Sequence, residues 1–382
     1  MHSTTTRKGK AHYTSRDLLL YALGIGCSSN EPSEMKYLYE HDAKFSAFAT
    51  FPLTLPFRAS DTSNEHDDVR RKNDIGNNHD FDSSGSASFD MPPFPPPLMR
   101  PPPFMESTPN VHGDKKIGGP AIHLSQKFRV HKPIPIPTSF PSSGPMQVEI
   151  TTNIVSVLPH KRGSIVITES QYHAPNGSQF QLLATSQSAV LYPQKLDSKP
   201  TRTDTMSKER HSKTAIASTL QPISFPTGRT NAKPSAVKRY SISNNQALLY
   251  RLSGDTNRIH VEGFPELFHT TQPILHGLCT LGYAVRAVLS TCTDKSINTG
   301  ERECQYVECR FKKPVFVGDE IEVRMWMETD DGRSGGRGAG VESLVLFEVW
   351  NLKHGVIVVD RGVVGIGPRL CDAKKDVLTS ML

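Results

Sequence analysis

The stretch Ala247-Leu-Leu-Tyr-Arg-Leu-Ser-Gly-Asp-Thr-Asn-Arg-Ile-His260, followed by Pro273-Ile-Leu-His-Gly-Leu-Cys-Thr280, is the most informative part of this chain. It places Asp255, Asn257 and His260 close together in one short segment. An acid, an amide and an imidazole arranged in this way can hold and activate a water molecule. In isolation, Asp255 and Asn257 would indicate an ordinary turn, so the flanking segments decide the interpretation.

The segments that follow predict one helix and several strands. Residues Gly277 to Thr291 are mostly apolar and predict a helix, and a shorter helix is expected to end at Tyr250. Four strand-like stretches come after the long helix: 303–312, 319–329, 341–352 and 355–365. One apolar helix followed by antiparallel strands is typical of an α+β layer, so we expect a sheet wrapped around a central helix over residues 236–370.

The amino-terminal half shows the same order of elements. Thr14-Ser-Arg-Asp17 forms an approximate capping box ahead of the apolar run Leu18–Leu23, which predicts a helix. Three segments rich in β-branched residues predict strands: 147–158, 164–173 and 179–192. The chain therefore has two halves, 11–194 and 236–370, each with a helix-rich start and a strand-rich end.

Polar and proline-rich stretches separate and flank these halves. Residues 1–10 are expected to form a flexible tail, and 371–382 a carboxyl-terminal tail. Residues 58–112 pass from Asp, Asn, Ser and Gly into the proline-rich run 91–104, which favours an extended or disordered insertion. That run is also suited to a proline-recognition partner. Residues 195–235 are rich in Ser, Thr, Lys and Pro and indicate a linker.

Composition excludes several classes of protein. The net charge of +6 is spread among acidic residues rather than gathered in stripes, which argues against a nucleic-acid partner. No run of 18 apolar residues is present, so no membrane span is expected. The six cysteines show neither a Cys-x-x-Cys pair nor regular spacing, which predicts no metal site and favours a reducing compartment.

The opening motif resembles a known family. Residues 247–260 and 273–280 are similar to the signature of the hydratase 2 group in the MaoC-like family, the (R)-specific enoyl-CoA hydratases of hot-dog fold. Three segments are similar to the opening of its two-repeat members: Tyr13–Gly26, Met35–Glu40 and Thr50–Pro52. The resemblance implies a double hot-dog fold in which the repeat at 11–194 is degenerate and the repeat at 236–370 carries the catalytic motif.

The resemblance also implies roles for individual residues. Asp255 and His260 match the catalytic pair, and Asn257 matches the family's conserved amide. Three residues at the start of the long helix are expected at the oxyanion or substrate-binding site: Gly277 through its backbone N–H, His276 and Leu278. The residue types favour a packing or supporting role for His276 over a catalytic one, and a helix-core position for Leu278, although one face of the helix could line an acyl tunnel.

This sequence departs from the family pattern beside the motif. Arg258 stands where the family usually has Pro, and Glu262 stands where it usually has Asp. The segment 263–272 is one residue shorter than usual. These changes lie next to the expected pocket, so the resemblance implies the reaction class rather than the substrate preference.

The implied reaction is reversible addition of water to a trans-2-enoyl-CoA, giving a (3R)-3-hydroxyacyl-CoA in fatty-acid β-oxidation. The resemblance implies no metal or redox cofactor. Coenzyme A is counted as part of the substrate. Two alternatives stay open at this point: a hot-dog dehydratase acting on carrier-bound acyl chains, and a non-catalytic scaffold that binds partners through its proline-rich insertion. A homodimer is one arrangement left open.

The last three residues, Ser380-Met381-Leu382, are a weak variant of the Ser-Lys-Leu peroxisomal signal, because the basic middle residue is missing. A peroxisomal location is therefore expected, with the cytoplasm as the alternative.

Overall fold

The computed structural model describes residues 6–61, 122–137, 144–176, 179–193, 232–263, 265, 269–293, 302–327, 341 and 343–370. The helices of the described residues are α1 Ser15–Gly24, α2 Met35–Leu38, α3 Gln246–Tyr250, α4 Ile259–Glu262 and α5 Gly277–Thr293, with short 3₁₀ turns at Pro32–Glu34, Phe51–Phe57 and Arg251–Ser253. The strands are β1 Thr6–Tyr13, β2 Ser60–Asp61, β3 Ile122–Val130, β4 Met146–His160, β5 Gly163–Asn176, β6 Gln179–Pro193, β7 Ala236–Ser241, β8 Arg302–Phe311, β9 Glu320–Met327, β10 Ser343–Asn351 and β11 Val356–Pro368.

All of these strands join one antiparallel sheet. Their order across it is β2-β1-β4-β5-β6-β3-β8-β11-β10-β9-β7. Apart from the short β2, each half follows the same rule: numbered from its own first strand, its spatial order is 1-3-4-5-2. The two halves meet through their second strands, β3 and β8, which pair antiparallel from Ser125↔Arg310 to Arg129↔Tyr306. This duplicated order, with a helix after the first strand of each half, is the double hot-dog fold that the sequence predicted.

The long apolar helix lies where the sequence placed it. Helix α5 begins at Gly277 and has 17 residues. Its side chains are buried nearly all round, and it contacts strands β8, β9 and β10 of its own half. A helix that is apolar on every face has to be covered on every face. The prediction of a central helix within the carboxyl-terminal half is confirmed.

The amino-terminal half supplies the remaining cover of α5. Ile25, which follows α1, packs against Gly282: a Cβ built on that glycine would lie 2.3 Å from Cγ2 of Ile25. The backbone carbonyl of Gly24 accepts hydrogen bonds from Nε2 of Gln246 at 2.6 Å and from Sγ of Cys279 at 3.2 Å. Both halves therefore share one hydrophobic core.

A buried ion pair also joins the halves. Nε of Arg286, on α5, donates to Oε1 of Glu34 at 2.5 Å, and both side chains are almost fully buried. The second carboxylate oxygen of Glu34 accepts from the backbone N–H of Ser28 at 2.8 Å. The arginine also lies over the ring of Tyr240 at 4.9 Å. Removing one partner would leave a buried charge uncompensated, so the pair fixes how α5 sits against the amino-terminal half.

Two expectations about the amino-terminal half need correction. Thr6–Lys10 do not form a tail, because they continue into β1 and pair with β4 from Thr6↔Asn153 onwards. The expected insertion does not begin at residue 58 either. Arg58 is largely buried, and Ser60–Asp61 pair with Gly9 and Lys10.

Some expectations fall on residues outside the described ranges. These are the proline-rich run 91–104 and the rest of the insertion from residue 62 to 112, most of the linker 195–235, and the tail 371–382 with its last three residues. Within the described ranges, no helix is both long enough and apolar enough to cross a membrane.

We expect Gly282→Ala to lower the free energy of unfolding by about 1–2 kcal/mol, because the new methyl group would collide with the branched side chain of Ile25. In an Ile25→Gly background, which removes Cβ of residue 25 as well, the same substitution should stabilise the protein by up to about 1 kcal/mol, because alanine favours the helix over glycine. Urea denaturation of the four proteins measures both values. An unchanged sign in the Ile25→Gly background would show that the two residues do not touch.

Candidate active site

The Asp255–His260 motif lies in a loop that the sequence builds turn by turn. After α3 and one 3₁₀ turn, Gly254 adopts φ +123°, a conformation that glycine tolerates best, and reverses the chain. Oδ1 of Asp255 then accepts from the backbone N–H of Asn257 at 3.2 Å, and Oδ1 of Asn257 accepts from that of Ile259 at 3.3 Å. These two side-chain turns lead into α4, the single helical turn that carries His260.

His260 is held by its backbone surroundings. Its ring is buried, and Nδ1 lies 2.8 Å from the carbonyl oxygen of Ile274. A carbonyl only accepts, so Nδ1 carries the hydrogen and Nε2 keeps its lone pair. The tautomer is thus set by Ile274, which lies three residues before the start of α5. His260 therefore presents a basic nitrogen at Nε2.

His276 supports this arrangement from behind. Its ring stacks on that of His260, with centroids 3.6 Å apart and planes inclined by 24°, and its other side faces Tyr250 at 4.8 Å. Nε2 of His276 donates to the backbone carbonyl of Asp255 at 3.1 Å. This contact ties the acid-bearing loop to the residue before α5. It agrees with the supporting role that the sequence left open for His276.

Gly277 and Leu278 take different positions. Gly277 is the first residue of α5, where backbone N–H groups have no acceptor within the helix. A Cβ at Gly277 would lie 3.4 Å from the ring of Phe311, so the glycine keeps the helix start close to β8. Leu278 is buried in the main core, which agrees with the reading of it as a helix-core residue.

The structure also gathers three residues of metal-ligand type, two from the acid–base loop and one that precedes α5. Candidate ligand atoms of Asp255, His260 and His276 all lie within 4.8 Å of one another. Imidazole lone pairs lie in the ring planes, and these two rings are nearly parallel. Their lone pairs therefore do not converge on a common ion at the ~2.0–2.1 Å of a zinc–nitrogen bond. The geometry suits acid–base chemistry better than metal binding.

Burial keeps both imidazoles neutral. It lowers the pKa of His260 below the ordinary value, and the nearby Asp255 carboxylate opposes that shift. Burial lowers the pKa of His276 further, and the adjacent His260 ring acts in the same direction because two stacked imidazoles resist sharing positive charge. At neutral pH the site thus contains two uncharged imidazoles beside one carboxylate.

The departures from the family pattern are on the outside of the loop. Arg258 is exposed, and its Nη2 donates to Oε1 of Glu262 at 2.5 Å, one helical turn later. The two substituted residues therefore pair with each other across α4. The shortened segment 263–272 falls partly outside the described ranges.

Sequence reasoning missed one residue of this site, Arg58 from the amino-terminal half. A Cβ built on Gly254 would lie 2.5 Å from Cγ of Arg58, so the arginine lies directly against the backbone of the motif. No local signal could reveal this contact, because nearly two hundred residues separate the two positions.

Comparison with known families matches both halves of the chain. The model of the MaoC like domain matches residues 226–344, which include the Asp255–His260 loop and α5. The model of the MFE-2 hydratase 2 N-terminal domain matches residues 12–76. The chain therefore matches a hydratase 2 amino-terminal domain followed by a MaoC-like domain.

Relatives of this chain include much longer proteins. Peroxisomal multifunctional enzyme type 2 of Mus musculus is 27% identical over 317 residues, which cover 83% of this chain and 33% of the mouse protein. This chain thus spans about a third of the length of that relative. Enoyl-CoA hydratase 2, peroxisomal, of Arabidopsis thaliana is 44% identical over 85 residues, or 22% of this chain and 26% of the plant protein.

A solved structure matches the whole architecture. The crystal structure of a MaoC-like dehydratase from Phytophthora capsici superposes with a TM-score of 0.62 at 25% identity, covering 96% of both chains. The arrangement of strands and helices in this chain is therefore shared with a solved MaoC-like dehydratase over nearly its full length.

We expect stability to fall as the pH drops below about 6.5, where the unfolded chain binds protons that neutral His260 and His276 do not. His276→Gln should make the free energy of unfolding less dependent on pH, by up to about 1.4 kcal/mol per pH unit between pH 6.5 and 5. Urea denaturation at pH 7.5, 6.5 and 5 measures the free energy of unfolding at each pH.

His41→Gln is the matched control for this experiment, because the side chain of His41 is 74% exposed. If His276→Gln and His41→Gln depend on pH in the same way as the unsubstituted protein, the His276 imidazole is not held neutral.

Proposed function

We propose that this chain is an (R)-specific 2-enoyl-CoA hydratase, a hydro-lyase that adds water reversibly to a trans-2-enoyl-CoA to give a (3R)-3-hydroxyacyl-CoA. The observation that carries the proposal is that Asp255 and His260 lie beside His276, the residue that precedes the start of α5 at Gly277. The matches to the two domain models and the names of the relatives support the same reaction.

The acid–base pair would handle the water. With Nδ1 of His260 held by Ile274, Nε2 is free to accept a proton from water, and the half-buried Asp255 is free to accept a second hydrogen bond from the same water. A positioned acid–base pair contributes about 10²–10⁴ in rate. Water oxygen adds to the β-carbon, and the proton taken from it, or one exchanged at the same pair, is delivered to the α-carbon. The hydroxyl group on the β-carbon and the proton on the α-carbon together amount to the addition of one water molecule.

Gly277 would stabilise the charge that develops on the thioester oxygen. Addition at the β-carbon moves electron density onto that oxygen, giving an enolate. The N–H groups in the first turn of a helix lack acceptors within it, and the helix dipole favours negative charge at this end. The site thus provides a donor fixed in place before the reaction.

The substrate and the location belong to the same proposal. The acyl group would be carried on coenzyme A, and the reaction would need neither a metal nor a redox cofactor. The mouse and plant relatives are both named as peroxisomal enzymes, which supports a peroxisomal location for this chain. A carrier-bound acyl thioester offers the same reacting atoms, so it is the alternative substrate.

The decisive assay is hydration of crotonyl-CoA, of a long-chain trans-2-enoyl-CoA and of a crotonyl carrier-protein thioester, followed by chiral analysis of the product. We expect turnover of the CoA thioesters with the (3R) product. Turnover of the carrier thioester alone would favour the dehydratase alternative. Absence of turnover on all three, in soluble folded protein, would favour the scaffold alternative.

We expect Asp255→Ala and His260→Ala each to lower turnover by at least about 10²-fold while the melting temperature changes little. Because both residues would act on one water, the double variant should lose little more than the worse single variant. Steady-state kinetics of the three variants checks this, and a nearly multiplicative loss would mean that the two residues act independently.

A further inference from the structure

Two buried hydrogen-bond donors of Arg58 have no partner among the described residues. The side chain of Arg58 is 17% exposed, and its Nη1 donates to Oδ1 of Asp17 at 2.5 Å. Its Nε and Nη2 atoms are inaccessible to solvent and make no hydrogen bond. A buried donor without a partner costs about 1–3 kcal/mol, and more when it is charged, so such a pair is expected where a ligand supplies the acceptor.

The position of these donors points to the active site. The Cγ and Cδ atoms of Arg58 lie against Gly254, which is bonded directly to Asp255, so the guanidinium is beside the acid-bearing loop. Two other buried polar atoms have no hydrogen-bond partner among the described residues: Oγ of Ser253, in the same loop, and Nδ1 of His276, whose ring bonds to that loop. Buried polar groups in a folded protein normally have hydrogen-bond partners. The presence of several unpartnered ones beside the acid–base loop indicates that a bound ligand supplies some of the missing hydrogen bonds.

The geometry of Arg58 selects the kind of acceptor. The Nε and Nη2 hydrogens of a guanidinium point the same way, forming a fork that one or two oxygen atoms can bridge. The positive charge of Arg58 is already balanced by Asp17. The neighbouring loop carries a further carboxylate, that of Asp255. A second anion would therefore leave excess negative charge in a poorly solvated place. A neutral carbonyl oxygen, which can accept from both donors, satisfies the fork without that cost.

We infer that Arg58 binds an amide carbonyl of the pantetheine arm of the thioester substrate. The inference rests on the proposed function: with the thioester carbonyl at Gly277, the carbonyls nearest to it in an acyl-CoA are those of the two pantetheine amides. Arg58 is then a substrate-binding residue that the amino-terminal half contributes to the site of the carboxyl-terminal half. It recognises the arm rather than the acyl chain.

Substrates with and without the amide test this assignment. Crotonyl-N-acetylcysteamine keeps one amide, and S-ethyl thiocrotonate keeps none. Arg58→Met should lower kcat/KM about 10–100-fold on the amide thioester and crotonyl-CoA, and leave the value for S-ethyl thiocrotonate nearly unchanged. Arg58→Lys keeps a charge for Asp17 but loses the fork, so it should show the same selectivity. Arg16→Met, an exposed arginine on α1, is the matched control and should behave as the unsubstituted protein.

Three outcomes would overturn the inference. Equal losses on both model thioesters in Arg58→Met and Arg58→Lys would mean a structural role. No loss on either substrate would mean that the fork binds nothing. A loss confined to acyl chains that end in a carboxylate would assign the fork to an anion instead.

A binding measurement separates this inference from the proposed function. Saturated butyryl-N-acetylcysteamine and S-ethyl thiobutyrate cannot be hydrated, and their binding is followed by NMR titration of the full chain. If the protein hydrates no thioester but Arg58→Met selectively weakens binding of the amide ligand, the proposed function fails and the Arg58 site stands. If hydration is normal and neither ligand distinguishes Arg58→Met, the Arg58 site fails and the function stands.

Discussion

Covering the apolar helix α5 on all sides is the constraint on which the rest of this structure depends. Each fully buried large apolar side chain contributes roughly 1.5–3 kcal/mol, so a helix with apolar residues on every face cannot be left partly exposed. The sheet of the carboxyl-terminal half covers only one side of it. The other side is covered by Ile25 and the end of α1, with Gly282 as the contact point and the Gly24 carbonyl as a shared acceptor. The two halves are thereby fixed against each other.

The active site follows from this arrangement because it is built around the first residues of α5. Ile274 orients His260, His276 supports both His260 and the Asp255 backbone, and Gly277 opens the helix. These three residues, shortly before and at the start of one rigid helix, thus control the acid–base loop. The same burial that stabilises α5 lowers the pKa of both imidazoles, which keeps them neutral and keeps His260 available as a base. Stability and chemistry depend on the same desolvation.

The fold repeats one strand order twice but uses the two copies differently. Among the described residues, the longest helix between the first and second strands is the 17-residue α5 in the carboxyl-terminal half and the 10-residue α1 in the amino-terminal half. The amino-terminal half, with its shorter helix, covers one side of α5 and contributes side chains to the carboxyl-terminal half. Glu34 neutralises Arg286 inside the core, and Arg58 reaches Gly254 beside the acid–base loop. A repeat without the catalytic motif therefore still contributes to the place where the motif acts.

The sequence by itself determined the elements whose residues carry a local signal. The apolar run of α5, the Thr14–Asp17 capping pair and the strands β4 to β6 were predictable, because helix periodicity and β-branched clusters reflect which backbone each segment prefers. The Asp255–His260 motif was recognisable because its residues lie in one short loop. Strand β1 was missed, because Thr6–Tyr13 is mostly polar and is ordered by pairing with β4 rather than by its own pattern.

Only the tertiary structure decided the contacts between distant segments. The stacking of His276 on His260, the pairing of Glu34 with Arg286 and the approach of Arg58 to Gly254 each join residues that no local pattern relates. Such contacts depend on the register of long-range strand pairs and on how closely two helices approach, and both are set by packing of the whole core. A sequence motif can therefore identify the reacting groups. The protonation state of those groups, and the side chains that the other half adds to them, are fixed by burial, which exists only once the chain has folded.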